Sequence, residues 1–354
     1  MKKKIITAFF FSFLLFSALP LAACQSNSVS QLSFAEQFLQ NNSPEDLLAI
    51  EAKLEALTVC QFNMEFHSGK DLVSEGIYNF FTNTATNTET YYDKDTRLYT
   101  FPVEDILSYA DQYFMDYSFT PEEIFGYQKE QNAIIVPAYG RQMVTNVELC
   151  GQKIIDENVV QIDYNFRSIS DDTEIQPITA TYQLLLQIQN DGSYRYLSFT
   201  EEEPFDIGNF VRQAETVSAL LNGQQMPFDP QKPMQDGSPY FAVTSETYQS
   251  IEDIKAAAEQ VFAKDYLEEK RYIPAFTGPQ PYYQEKDHVL YLFPQTATSE
   301  GEIYPNSVTL LEKNATEMKA SLEQSIPGQT TTRSLIFQFI QTENGWRINQ
   351  YPEQ

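Results

Sequence analysis

Cysteine and histidine are the side chains best suited to act as nucleophiles, proton carriers or metal ligands, and the chain holds few of them. Its three cysteines are Cys24, Cys60 and Cys150, and its two histidines are His67 and His288. A zinc site needs several such ligands at close spacing, and the sequence contains neither an HExxH nor a GxSxG pattern. We therefore predict no catalytic residue, no metal ligand and no cofactor-binding residue.

Acidic clusters are the other candidates for chemistry. The sequence DKD at 93–95 resembles the opening of a calcium-binding loop, but the fifth position of that loop, which needs an oxygen ligand, is Arg97. The run EEE at 201–203 could hold a cation loosely, although a solvated junction is the simpler interpretation. Asp287 precedes His288, but adjacent strand residues face opposite ways, so this spacing does not predict a proton-transfer pair.

The N-terminus has the layout of an export signal. Three lysines at 2–4 precede an uncharged, mostly apolar run at 5–19, which is short for a membrane-spanning helix of about 20 apolar residues. The following LAAC at 21–24 resembles the lipobox of bacterial lipoproteins. That resemblance implies cleavage after a signal peptide of residues 1–23, lipidation of Cys24, and a lipid-anchored location at the cell membrane, facing outside the cytoplasm. A plain signal peptide with an accidental cysteine is the alternative.

Export bears on the two remaining cysteines. Thiols can pair outside the cytoplasm, and a disulfide between Cys60 and Cys150 would close a loop of about 90 residues, worth roughly 4 kcal/mol in the chain-entropy model. Two separate, buried, reduced cysteines are the alternative, because the sequence gives no distance between the thiols.

The charge of the chain limits its partners. There are 49 acidic against 23 basic residues, a formal net charge of −26. Such a surface repels nucleic acid and anionic lipid, so we predict no nucleic-acid partner and a membrane contact through the N-terminal lipid only. The absence of GxGxxG and GxxxxGK[ST] patterns argues against a nucleotide-binding fold.

One eleven-residue segment occurs twice in the chain. EDILSYADQYF at 104–114 and EDIKAAAEQVF at 252–262 share six identical positions. In both copies apolar residues recur at i, i+3, i+4, i+7 and i+8, starting at Ile106 and Ile254, which predicts amphipathic helices with one packed face. Ser250 is placed to cap the second helix.

The repetition continues through the segments that follow each helix. YQKEQNAIIVP at 127–137 and YQEKDHVLYLFP at 283–294 predict a polar turn followed by a strand that ends at proline. TYQLLLQIQNDGSYRYLSF at 181–199 and SLIFQFIQTENGWRINQYP at 334–352 predict hairpins with tips at Asn-Asp-Gly and Glu-Asn-Gly. We interpret Trp346, the single tryptophan, as a core or edge aromatic rather than a ligand contact.

The repeated order of elements predicts the architecture. Segments 68–81 and 206–221 predict a helix before each copy. We therefore predict an α+β fold of two tandem repeats, each with helices packed on one face of an antiparallel sheet of about four strands. Module 1 is predicted at 70–204 and module 2 at 205–354, in contact with each other, after a polar tether and N-terminal helices at 24–69.

This unit resembles the NTF2-like and cystatin-like α+β modules of extracytoplasmic lipoproteins of Gram-positive bacteria. The resemblance is carried by SIEDIKAAAEQVFAKDY at 250–266, HVLYLFP at 288–294 and ENGWRINQYP at 343–352. The second module also resembles secreted inhibitors of cell-wall DL-endopeptidases, which block hydrolases by protein contact. The tandem arrangement and the lipobox depart from a freely secreted inhibitor, and no inhibitory residue can be assigned to a position of this chain.

These features favour a lipid-anchored surface protein that binds a protein or cell-wall partner without catalysis, with modulation of a wall hydrolase as one form of that role. A second hypothesis is small-molecule binding, or hydrolase or isomerase chemistry, in a pocket between helices and sheet. NTF2-like folds host such enzymes, although a fold does not establish a function. A third hypothesis is a structural envelope lipoprotein without a discrete ligand.

Overall fold

The structure, a computed structural model, describes residues 32–59, 65–137, 146–168, 176–235, 237–296 and 301–352. The helices of this part are α1 Phe34–Asn41, α2 Pro44–Leu54, α3 Ser74–Thr84, α4 Val103–Tyr113, α5 Ile207–Leu221, α6 Ile251–Glu259 and the single turn α7 Lys264–Tyr266. The strands are β1 Tyr92–Asp93, β2 Leu98–Pro102, β3 Tyr127–Gln128, β4 Ala133–Pro137, β5 Val147–Asp156, β6 Val159–Arg167, β7 Ile178–Ile188, β8 Tyr194–Glu201, β9 Phe228–Pro233, β10 Phe241–Val243, β11 Tyr283–Lys286, β12 Val289–Leu292, β13 Thr309–Lys313, β14 Glu317–Ser325, β15 Thr332–Thr342 and β16 Gly345–Gln350. None of the helices in these ranges is long and apolar enough to cross a membrane.

Helices and strands follow one another in the same order twice. We call α3 to β8 the first repeat and α5 to β16 the second repeat. Each begins with a helix and two strands, continues with a second helix and two strands, and ends with four longer strands. The second repeat adds α7 and the π-helical turns Leu267–Arg271 and Ile273–Thr277 between α6 and β11. The short strands form sheets of order β1-β2-β4-β3 and β9-β10-β12-β11. The eight longer strands form one antiparallel sheet of order β16-β15-β14-β13-β7-β6-β5, in which β8 also pairs with β7. The predicted α+β class with two tandem repeats is therefore confirmed.

Each repeat buries its own hydrophobic core on one face of the four long strands that it contributes to the eight-stranded sheet. Ile106 and Ala110 of α4 belong to the first core, and Ile254 and Ala258 occupy the matching positions of α6 in the second. The duplicated segment therefore buries the same helical positions in both copies, as its spacing predicts. Ser250 caps α6, since its Oγ accepts a hydrogen bond from the Asp253 backbone at 3.1 Å. The exact boundaries predicted for the two modules stay a prediction.

The segments predicted as a turn followed by one strand are hairpins of two short strands. β3 pairs with β4, and β11 pairs with β12. Asp287 and His288 both have positive φ, 50° and 63°, as a type I′ hairpin turn requires at its two central residues. This turn folds the chain straight back, so that the residues before it pair with the predicted strand.

The final hairpins differ in the length of their loops. Ile188 pairs with Tyr194 across a longer loop, whereas Gln341 pairs with Trp346 across a tight turn. Trp346 therefore occupies the position in the second hairpin that Tyr194 occupies in the first. When the Asn-Asp-Gly and Glu-Asn-Gly tips are aligned by sequence, Trp346 instead falls opposite Ser193. Pairing across the sheet, which the sequence does not specify, sets this register.

The two N-terminal helices pack on the first repeat. Ser33 and Ser43 begin α1 and α2 with capping boxes. The buried hydroxyl of Tyr164 donates to the Leu47 carbonyl at 2.7 Å, and the Tyr196 hydroxyl donates to the Ile50 carbonyl at 2.7 Å. These hydrogen bonds join α2 to strands β6 and β8.

Candidate functional site

The second repeat contacts the first through the sheet face that the first core leaves open. Because Val160, Ile162 and Tyr164 of β6 point into the core, the residues between them point to the opposite face, which we call the outer face. Strand β13 pairs with β7 at Leu310 and Ile178, and side chains of the outer face reach its backbone at Leu311 and Lys313. The repeats are therefore joined by strand pairing, by side chains of the outer face and by the hydrogen bond that Ala315 N donates to the Cys150 carbonyl at 3.2 Å.

Two of these side chains bind the backbone of β13 directly. Asn165 Nδ2 donates to the Lys313 carbonyl at 2.8 Å, and Arg167 Nη1 donates to the Leu311 carbonyl at 3.0 Å. Arg167 also forms an ion pair with Glu148 at 2.6 Å. The fully buried Asn165 is satisfied in this way, as buried amides must be if their desolvation is not to destabilise the fold.

Beside this contact lies a cleft of about 320 Å³. Residues of both repeats line it, and most of them carry amide, hydroxyl or charged groups. They are Cys150, Lys153, Gln161, Asp163, Thr181, Gln183, Glu202, Lys313, Asn314, Ala315, Gln341 and Trp346. We call this the junction cleft; its volume is at the lower end of the range for small-ligand sites, roughly 300 to 1,000 Å³.

Asp163 is the most perturbed carboxyl of the junction cleft. Burial raises its pKa above the ordinary value, although the hydrogen bond that Gln161 Nε2 donates to Asp163 Oδ1 at 2.7 Å acts in the opposite direction. Gly151 on the neighbouring strand gives this carboxyl its space, because a Cβ there would lie 2.8 Å from Asp163 Oδ2. The cleft therefore holds a partly desolvated carboxyl with one oxygen committed to Gln161.

An ion pair joins the repeats at the edge of the cleft. Lys313 Nζ lies 2.5 Å from Glu202 Oε2, with the lysine side chain 11% exposed and the glutamate side chain 32% exposed. Glu202 belongs to the EEE run, which the sequence led us to interpret as a solvated junction. That interpretation is wrong for Glu202, because β13 brings a lysine from the other repeat against its carboxylate.

Cys150 lines the cleft, but its surroundings do not activate it. Burial, reinforced by the charge of Asp163, raises the pKa of the Cys150 thiol to about 12. A nucleophilic cysteine needs its pKa lowered, not raised. Cys60 and Cys24 lie outside the described residues, so the disulfide with Cys150 and the lipidation both stay predictions.

Trp346 is half-buried, packs against the rim of the second core and lines the junction cleft opposite Gln341. The prediction of a core or edge aromatic is thus confirmed, and the position adds a cleft contact that the sequence did not indicate.

Both histidines are exposed and outside the cleft: His67 precedes α3, and His288 lies in the β11–β12 turn. Among the described residues, no group of three His, Cys, Asp or Glu side chains could hold a metal ion.

Sequence reasoning missed the residues that the outer face contributes. Gln161, Asp163, Asn165 and Arg167 alternate with apolar residues along β6, a period-two pattern that places polar groups on one face of a strand. This pattern could have indicated a polar sheet face. It could not have indicated that β13, almost 150 residues further along the chain, covers part of that face.

Comparison with known proteins adds little to this geometry. No protein-family model matches the chain, and no curated protein matches it. Among solved structures, the chain is similar to an NTF2-like protein involved in plasmid conjugation, with 9% sequence identity, a TM-score of 0.13, and coverage of 58% of this chain and 75% of that one. A TM-score this low supports no conclusion about fold or function.

Proposed function

We propose that the chain is a lipid-anchored binding protein that faces outside the cytoplasm and holds a small polar fragment of the cell wall in the junction cleft. The export and anchoring part of this proposal is supported by the basic, apolar and LAAC segments of residues 1–24. The binding part is supported by the cleft itself. The two parts are independent, and each is tested separately below.

The observation that carries the binding proposal is a preformed polar cleft at which the two repeats meet. Gln161, Gln183, Gln341 and Asn314 present amide groups there, and Trp346 adds an aromatic surface. Amides pair with the hydroxyl and amide groups of glycans and stem peptides, and an aromatic ring packs against the apolar face of a sugar. A duplicated chain thus gains at its junction a site that one repeat alone does not have.

Balanced charge in the cleft favours an uncharged ligand. Lys153 and Lys313 are matched by Asp163 and Glu202, and the Lys313 ammonium is already paired. A strongly charged ligand would have to break that pair or leave one partner unmatched, which is costly in a partly buried site. A neutral sugar or amide-rich fragment avoids this cost.

The chemistry of the cleft supports binding better than catalysis. Its thiol has a raised pKa, and neither histidine lines it, so the described residues supply no evident nucleophile with an adjacent base. A lipid-anchored protein that holds wall fragments could also compete for them with a wall hydrolase, which is the form in which a modulating role would fit this site.

The proposal is tested by isothermal titration of the full-length mature chain with N,N′-diacetylchitobiose, an uncharged analogue of the wall disaccharide, comparing Gln341→Ala with Gln338→Ala. Both glutamines are exposed on β15, but only Gln341 lines the junction cleft, whereas Gln338 faces the other side of the sheet. Loss of one hydrogen bond should weaken binding by about 2- to 10-fold in Gln341→Ala, and Gln338→Ala should bind as the unmodified chain does. Absence of binding by the unmodified chain, or equal loss in both variants, would contradict the proposal.

A further inference from the structure

A second cavity, of about 280 Å³, adjoins the junction cleft. Its character is different, because most of its lining is apolar. The apolar side chains include Ile178, Phe205, Ile207, Val308, Leu310 and Met318. We call this the apolar cavity; it lies between the first turn of α5, strand β13 and the edge formed by β7 and β8.

The two cavities meet at the inter-repeat ion pair. Thr181, Glu202 and Lys313 line both of them. Thr181 is fixed by the hydrogen bond that its Oγ1 donates to Asn165 Oδ1 at 3.0 Å. Thr181 and the ion pair therefore form the boundary that the two cavities share.

The apolar cavity is open to solvent at Val308. This side chain is 36% exposed and belongs to the large apolar residues that reach the surface of the described chain. Water held against a mainly apolar lining gains few hydrogen bonds, so its replacement by hydrocarbon is favourable. The same hydrocarbon would not be stabilised in the amide-lined junction cleft, because it would desolvate polar groups without pairing them.

We propose that the ligand of this site is a neutral amphiphile. Its polar group lies in the junction cleft, and a hydrocarbon chain lies in the apolar cavity beyond the Lys313–Glu202 pair. The chemical class is a sugar that carries an alkyl or acyl chain. This inference rests on the proposed function for the polar group, and it adds a hydrocarbon subsite that a purely polar wall fragment would leave empty.

The test compares methyl and octyl N-acetyl-β-glucosaminides, at concentrations below micelle formation, by isothermal titration of the full-length mature chain. Each additional methylene buried in the apolar cavity should tighten binding about fourfold, until the chain fills the cavity. Val308→Glu should lower the octyl-to-methyl affinity ratio at least tenfold. Val289→Glu is the matched control, because Val289 is 37% exposed on β12 and does not line either cavity.

The outcomes separate the two proposals. If the octyl and methyl ligands bind equally, or if Val308→Glu and Val289→Glu alter the ratio alike, the hydrocarbon subsite is refuted while binding of wall fragments still stands. If neither the methyl ligand nor N,N′-diacetylchitobiose binds, the proposed function itself is refuted. Circular dichroism verifies the fold of each variant, and Val308→Ser, which adds no charge, replaces Val308→Glu if that variant does not fold.

Discussion

Replacement of Glu51 by glutamine should stabilise the folded chain by about 3 kcal/mol at neutral pH. Glu51 lies on α2 and is 1% exposed. Its Oε1 has no hydrogen-bond partner within the part of the chain that the structure describes. Burial, with a smaller contribution from the charge of Glu55, raises the pKa of the Glu51 carboxyl from 4.5 to about 8.

The sign and size of the effect follow from proton linkage. Between pH 4.5 and about 8, the unfolded chain loses the Glu51 proton while the folded chain keeps it. Stability therefore falls as pH rises through this range, by about 1.4 kcal/mol for each pH unit. At pH 7 this amounts to about 3 kcal/mol, and above pH 8 it reaches nearly 5 kcal/mol. Below pH 4.5 the carboxyl contributes no penalty, because both states are protonated.

Urea unfolding followed by circular dichroism measures this directly in unmodified, Glu51→Gln and Glu45→Gln chains. Glu45 is exposed on the same helix, so its replacement controls for loss of one negative charge and should change stability by less than about 0.5 kcal/mol. The advantage of Glu51→Gln should be small near pH 4 and grow towards pH 8. An advantage that does not change with pH, or none at all, would refute the assignment of Glu51 as a buried, protonated carboxyl.

Three further predictions concern the cleft, the second core and the anchor. Gly151→Ala should weaken binding of N,N′-diacetylchitobiose severalfold in isothermal titration, because the new Cβ would lie 2.8 Å from Asp163 Oδ2 and displace that carboxyl; unchanged affinity would contradict this. Tyr283→Phe should lower the free energy of unfolding by about 1 kcal/mol, since the buried hydroxyl donates to the Leu220 carbonyl at 2.7 Å; urea denaturation without a shift would contradict it. Cys24→Ser should release the protein from membranes in a detergent-partition assay, whereas continued membrane retention would argue against lipidation.

The repeated helices could be predicted from the sequence because their signals are local. Ile106 and Ala110 in α4, and Ile254 and Ala258 in α6, recur at helical spacing, and Ser250 marks the start of the second helix. Each of these signals lies within a few residues of the feature that it predicts. The order of helices and strands followed from them, and so did the α+β class.

The junction cleft could not be predicted, because it depends on contacts between distant parts of the chain. The Lys313–Glu202 pair and the hydrogen bond from Asn165 to Lys313 each join residues more than 100 positions apart. The sequence shows polar alternation in β6, but it does not show which element lies against that face. The position of Trp346 at the cleft likewise depends on the short β15–β16 turn. Because of this turn, Trp346 pairs with Gln341, a pairing that aligning the two hairpin sequences does not predict.

Trp346 allows ligand binding in the cleft between the repeats to be tested most directly. It is the single tryptophan of the chain and lines the junction cleft, so selectively excited tryptophan emission reports on this site alone. Titration of the full-length mature chain with N,N′-diacetylchitobiose should shift or quench that emission saturably, and Gln341→Ala should move the midpoint to higher concentration while Gln338→Ala should not. Emission that stays constant while calorimetry detects binding would place the ligand elsewhere and contradict the account.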